Sequence, residues 1–229
     1  MREAIVLAGG FGTRLREVVA DLPKPMAPIA GRPFLELVLR SLARKGFDRV
    51  ILSVGFMAEK IMGHFGSQFD GLDLVYATEY QPLGTGGGVR LAMDAVRSDH
   101  CFVFNGDTYL DLEVDAVEQR WRSSGRSLIV GREVTDTARY GRLLVEGERV
   151  MGFTEKGVSG PGLINAGCYV FRRDQLDRFP LNHAFSLEAD YLVGAVAEGA
   201  FDVFVTHGQF IDIGVPEDYF RAQTELSSL

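Results

Sequence analysis

A short apolar run, Ala4-Ile5-Val6-Leu7, enters a turn with glycine at positions 9, 10 and 12, and this junction constrains the chain most. The run reads as a buried N-terminal strand. The glycines remove Cβ atoms from the turn after it, so backbone N–H groups can converge on an anion and a phosphate can approach closely. Thr13 adds a hydroxyl, Arg14 a planar cation and Lys24 a mobile point charge. A strand, a glycine-rich turn and inward-reaching cations make a polyphosphate site, with a plain strand-to-helix turn as the bland alternative.

Two better-known loops do not fit. A P-loop places Lys-Ser/Thr directly after its last glycine, whereas Gly12 is followed by Thr13-Arg14. The dinucleotide fingerprint G-x-G-x-x-G, laid on Gly10 and Gly12, puts Leu15 where a small residue belongs.

The rest of the chain alternates. Arg49–Val54, Leu74–Tyr76, Cys101–Asn105, Ser127–Val130 and Leu163–Phe171 read as strands. Pro33–Lys45, Ala58–Phe65, Gly86–Val96, Val114–Ser123, Ser186–Glu198 and Pro216–Leu226 read as helices. That order predicts an α/β fold, a three-layer sandwich around a mainly parallel, Rossmann-like mixed sheet. Between Ser127 and Phe171 strands predominate, with turns at Glu146-Gly147-Glu148 and Gly157–Gly162, which predicts a β-rich lobe on the same core.

Composition narrows the function. The net charge is −7, with no basic run and no interleaved basic–aromatic patch, so nucleic acid is not an expected partner. No apolar run approaches the roughly 18–20 residues that span a membrane. A strand begins almost at Met1, with no signal-peptide pattern before it, and Cys101 and Cys168 lie in apolar contexts. A cytoplasmic protein with two buried thiols is expected. His64, His100, His183 and His207 have no metal-like spacing and no neighbouring nucleophile, and most of them read as surface or helix-end residues. Trp121 reads as core rather than as a base-stacking ring.

Further constellations carry chemistry. Gln81-Pro82-Leu83-Gly84-Thr85-Gly86-Gly87-Gly88 is a second glycine cluster between a strand and a helix. It suits close approach of a flat base, and it also suits a helix-start turn. Glu79, just upstream, is either a strand-end carboxylate or an acceptor for guanine N1–H and N2–H₂. Asp107 follows the strand Phe102-Val103-Phe104-Asn105, at the end where open α/β sheets bind ligands. Phosphates beside a strand-end carboxylate suit Mg²⁺. Asp111 reads as solvated or capping.

Leu7-Ala8-Gly9-Gly10-Phe11-Gly12-Thr13-Arg14-Leu15 with Pro23-Lys24-Pro25 resembles the signature of the sugar nucleotidyltransferases, enzymes that join a nucleotide to a sugar 1-phosphate. The resemblance runs from Leu7 to Pro216 and implies a GT-A-like fold. One domain is expected, with a nucleotide-binding half over residues 1–110 and a sugar-binding part over 125–215. It assigns Arg14 and Lys24 to catalysis. Leu7, Ala8, Gly9, Gly10, Gly12, Thr13, Glu79, Pro82, Gly84, Thr85 and Gly87 are assigned to the nucleotide. Asp107 and Asp212 would hold Mg²⁺; Asp212 sits in Phe210-Ile211-Asp212-Ile213-Gly214-Val215-Pro216, where Val215 replaces the family's threonine. Glu155-Lys156 matches an E-K-P segment, with Gly157 for the proline, and Asn165-Ala166-Gly167-Cys168-Tyr169 matches N-A/T-G-x-Y. Glu155, Lys156, Asn165 and Gly167 would thus hold the sugar phosphate.

The implied reaction is in-line attack of a sugar 1-phosphate oxygen on the α-phosphorus of an NTP. The nucleophile is already anionic, so no general base is required. The subgroup pattern is most similar to the D-glycero-α-D-manno-heptose 1-phosphate guanylyltransferases. Mannose-1-phosphate guanylyltransferases and N-acetylmuramate-1-phosphate uridylyltransferases are alternatives, as is a non-catalytic sugar-nucleotide-binding module. The expected partners are an NTP, GTP first, and a sugar 1-phosphate; a homodimer is one option for the assembly. Many longer relatives carry a left-handed β-helix after this point, and no acyltransferase activity is expected of this polypeptide.

Overall fold

The structure, a computed structural model, describes residues 1–10, 15, 19 and 21–229. Strand β1 (Glu3–Leu7) lies between β4 (Arg49–Val54) and β7 (His100–Asn105), parallel to both. Between β1 and β4 come the ribbon β2 (Pro28–Ile29) with β3 (Arg32–Pro33), and helix α1 (Phe34–Arg44). Helix α2 (Ala58–Phe65) and β5 (Gln68–Phe69) lead into β6 (Leu72–Thr78), which pairs parallel to β4. Helix α3 (Gly84–Met93) returns the chain to β7. These strands are apolar on consecutive residues because both faces are covered.

The second half is mixed. After β8 (Thr108–Leu110) and α4 (Val114–Ser124), β9 (Ser127–Val134) is followed by the hairpin β10 (Leu143–Glu146) and β11 (Arg149–Phe153), then β12 (Gly162–Arg172). Strand β12 runs antiparallel between β7 and β9 and joins the two halves into one ten-stranded sheet. A π-helical turn (Leu187–Leu192) and α5 (Val193–Ala197) precede β13 (Phe201–Thr206), which is parallel to β9. Strand β14 (Phe210–Asp212) pairs with β8 in a separate ribbon, and α6 (Pro216–Glu225) follows. The sequence pattern does not mark β13 or β14.

Side-chain alternation builds two apolar layers. From β1, Ala4 and Val6 enter the cluster that holds Phe34, Leu35 and Ile61, while Ile5 enters the opposite cluster with Val89, Met93 and Leu192. Burying an Ile, Leu or Phe side chain contributes roughly 1.5–3 kcal/mol, so the two layers hold the sheet between its helices. Cys101 and Cys168 are fully buried, and burial pushes both thiols above their ordinary range. His100 is an exception to the surface reading: it is buried, stacks on Trp121 at 3.9 Å and bonds the Asp99 carboxylate at 2.6 Å. Trp121 is partly buried and packs against the core, as expected.

Glu3 anchors the start of β1. Its buried carboxylate accepts hydrogen bonds from Ser98 N at 2.6 Å, Arg97 N at 2.8 Å and the Arg49 guanidinium at 2.7 Å. Burial alone would raise this carboxyl, but these donors together hold it below its ordinary value of 4.5. The folded state therefore favours the ionised form, whose stabilisation is present above about pH 4.5 and is lost as pH falls through the depressed folded value. Glu3→Gln is expected to cost about 2–3 kcal/mol at pH 7, a gap that narrows under acid. Urea unfolding at both pH values tests this; equal losses at pH 7 and pH 3 would contradict it.

Candidate active site

Strand β1 is where the strand order turns: β4 continues on one side, β7 on the other. A crevice opens at such a point beyond the C-terminal ends of the strands. Leu7 ends β1, beside Ser53 on β4 and Asn105 on β7. Ala8 N donates to Ser53 O at 2.8 Å, and Gly9 O accepts from Phe56 N at 3.4 Å. Gly10 is exposed above this turn. Gly12, Thr13 and Arg14 lie outside the described residues.

Two adjoining clefts occupy the crevice. The larger, about 370 Å³, is lined by Leu7, Gly9, Gly10, Glu79, Pro82, Gly84 and Thr85, among others. Its neighbour, about 170 Å³, shares Leu7, Gly10 and Thr85 and adds Lys24, Asn105 and Asp107. Seven of the residues expected to bind the nucleotide thus line one space, with Lys24 and Asp107 at its inner end. Ala8 is buried behind the turn, and Gly87 lies buried within α3.

The second glycine cluster has a packing role as well. Helix α3 starts inside it, at Gly84 rather than Gly86. Gly86 N donates to Phe185 O at 3.0 Å and Gly87 N to the same oxygen at 3.4 Å. Two of the first amides of α3 are therefore taken by the segment before the π-turn. The Thr85 hydroxyl donates to Glu188 at 3.0 Å and accepts from Leu187 N at 2.9 Å, closing the same seam. Glu79 is half-buried on the cleft wall, and both its oxygens already have a donor: Ser53 Oγ at 3.1 Å and Leu83 N at 3.0 Å.

At the inner end, a tight crossing sets Asp107. Gly106 N donates to Leu7 O at 3.0 Å, and a Cβ on Gly106 would lie 2.2 Å from that oxygen, so only glycine lets the chain cross β1 here. The ribbon of β8 and β14 pairs Thr108 with Asp212, and Ile213 N donates to Asp107 O at 2.9 Å. Two carboxylates far apart in the chain, one near its middle and one near its end, become neighbours. Burial, then the negative charge of Asp107, raise the Asp212 carboxyl above its ordinary value; Lys24, Gly214 N–H and Arg139 partly offset them. Lys24, held by Pro23 and Pro25 in a short 3₁₀ turn, donates to Asp107 Oδ2 at 2.5 Å. Among the described residues, no group of three or more His, Cys, Asp or Glu side chains gathers to hold a metal. Two carboxylates that repel one another, with Lys24 the cation bonded to one of them, are a donor set that fits Mg²⁺ completed by phosphate oxygens and water.

The residues expected at the sugar are less gathered. Asn165 and Gly167 lie at a bulge in β12, where the Asn165 amide accepts from Gly167 N at 3.0 Å and donates to the Tyr169 hydroxyl at 2.8 Å. Gly167 packs on Asn105, beside the smaller cleft. Glu155 and Lys156 are exposed on the loop after β11 and line neither cleft. Asp111 is exposed and pairs with Lys45 at 2.5 Å. The motifs miss Ser53 and Arg139. Ser53 interrupts an otherwise apolar run in β4, a signal the sequence does offer. Arg139 reaches the buried Asp218 of α6, and its charge acts on Asp212.

The nucleotidyl transferase family profile matches residues 3–228. The chain is 38% identical to a D-glycero-α-D-manno-heptose 1-phosphate guanylyltransferase of Aneurinibacillus thermoaerophilus over 98% of both chains. It is 36% identical to the enzyme of that name in Campylobacter jejuni, over 96% of this chain and 97% of that one. Among solved structures, HddC from Yersinia pseudotuberculosis superposes with a TM-score of 0.89 at 37% identity, covering 99% of this chain and all of the other. A second HddC structure is a complex with GMP-PN, at a TM-score of 0.88.

Proposed function

The chain belongs to the nucleotidyl transferase family, and on that premise we propose that it transfers the guanylyl group of GTP to D-glycero-α-D-manno-heptose 1-phosphate, releasing pyrophosphate. One observation carries the reading: a cleft walled by Glu79 and the glycine turns runs directly into the Lys24–Asp107 cleft. A base and its phosphates need that continuity.

The chemistry is positioning and charge neutralisation. The attacking oxygen of the sugar phosphate is anionic before it reacts, so no proton must be removed. It forms a bond to the α-phosphorus while the bond to the pyrophosphate oxygen breaks, and the leaving group carries the electron pair away. Lys24 offsets the negative charge that meets there, and Arg14 is assigned the same task. Asp107 and Asp212 are the pair that would hold Mg²⁺, which when bound neutralises phosphate oxygens and orients the leaving group. Glu79 is assigned to the guanine edge. Glu155, Lys156, Asn165 and Gly167 are assigned to the sugar phosphate. The working assignment is a cytoplasmic enzyme; no helix among the described residues is long and apolar enough to cross a membrane.

A substrate panel tests this. Each NTP is incubated with Mg²⁺, inorganic pyrophosphatase and a set of sugar 1-phosphates, and phosphate release is followed. GTP with the manno-heptose 1-phosphate is expected to give the highest kcat/KM. A preference for mannose 1-phosphate would move the sugar and keep guanylyl transfer. UTP or dTTP used at least as well as GTP would overturn the base.

A further inference from the structure

Ser53 is fully buried in β4, under the meeting point of both glycine-rich turns. Its backbone oxygen fixes Ala8 of the first turn. Its hydroxyl donates to Glu79 Oε1 at 3.1 Å, while Leu83 N, at the entry to α3, donates to Oε2 at 3.0 Å. Space for the carboxylate comes from missing Cβ atoms: one on Gly9 would lie 2.9 Å from Glu79 Oε1, and one on Gly88 would lie 2.8 Å from both that oxygen and Ser53 Oγ. The carboxylate is thereby gripped from behind.

An ionised carboxylate offers about four lone-pair sites, two per oxygen. Ser53 and Leu83 take one on each. One site on each oxygen is left for the cleft that Glu79 lines. Two coplanar acceptors match the adjacent N1–H and 2-amino donors of guanine. With the Ser53 donor gone, Oε1 has a free lone pair on its inner side and the carboxylate can rotate out of that plane.

We infer that Ser53 is a positioning residue for base selection, orienting the Glu79 carboxylate so that both of its free acceptor sites face the guanine edge. The inference rests on the guanylyl-transfer reading above. Ser53 touches no substrate; it acts through Glu79.

ITP separates the two ideas, because hypoxanthine keeps N1–H and lacks the 2-amino group. kcat/KM for GTP and ITP is measured with the wild type, Glu79→Gln, Ser53→Ala and Ser53→Cys. The wild type is expected to prefer GTP, and Glu79→Gln to lose most of that preference. Ser53→Ala is expected to lower the GTP/ITP ratio by about three- to tenfold, the loss falling on GTP. Ser53→Cys, which keeps a weaker donor, is expected between the two, and it carries the test if the alanine variant does not fold. A Glu79→Gln collapse with an unchanged ratio in both Ser53 variants overturns the inference and leaves the base reading standing. Equal loss with GTP and ITP makes Ser53 purely structural and also overturns it. A wild type indifferent to the 2-amino group, or a Glu79→Gln variant that keeps the preference, removes both.

Discussion

Asp107→Asn is expected to lower guanylyl transfer about a thousandfold while leaving the fold in place. Asparagine keeps the size of the side chain, and its amide oxygen still accepts from Lys24, 2.5 Å away in the parent. It loses the charge that a divalent cation needs. The same change relieves Asp212, whose carboxyl is pushed up partly by Asp107, so the melting temperature is expected to stay level or to rise. Loss of activity with gain of stability separates a functional carboxylate from a structural one. An Asp107→Asn enzyme that kept more than about a tenth of its activity at saturating Mg²⁺ would contradict the assignment.

Lys24→Ala is expected to reduce kcat about a hundredfold, with a smaller change in the KM for the sugar phosphate. Lys24 is held against Asp107 in a cleft of about 170 Å³ and is largely shielded from solvent. Its charge matters most as negative charge builds on the departing pyrophosphate, so the loss belongs in kcat. Lys24→Arg is expected to recover little, because a planar guanidinium does not fit where a compact ammonium sits. Steady-state kinetics at saturating metal decide it: an effect confined to the sugar KM would place Lys24 on the other substrate.

Local sequence made the nucleotide half legible. The apolar run into Gly9 and Gly10 marks β1, and Phe102 to Asn105 delivers Asp107 at a strand end, because buried parallel strands are written as continuous apolar residues. What joins distant segments is harder to read. Asp107 and Asp212 meet only because three-residue β14 pairs with β8, and so short a strand has no periodicity of its own. Strand β13 owes its place to β9, far back in the chain. Glu79 is visible as a carboxylate near a glycine cluster, but the orientation of its oxygens comes from Ser53 and Leu83. The glycines of that cluster also answer to Phe185, a packing partner that no pattern around them announces. On the sugar side, a motif names Glu155 and Lys156 but not the path of the loop that carries them.

The most direct measurement uses a sugar 1-phosphate carrying ¹⁸O at its three non-bridging phosphate oxygens. It is incubated with GTP, Mg²⁺ and the wild-type protein, and both products are weighed by mass spectrometry. In-line attack by the sugar phosphate on the α-phosphorus puts all of the label in the GDP-sugar and none in pyrophosphate. Label in the pyrophosphate, or GTP consumed without a labelled GDP-sugar, would contradict guanylyl transfer at this site.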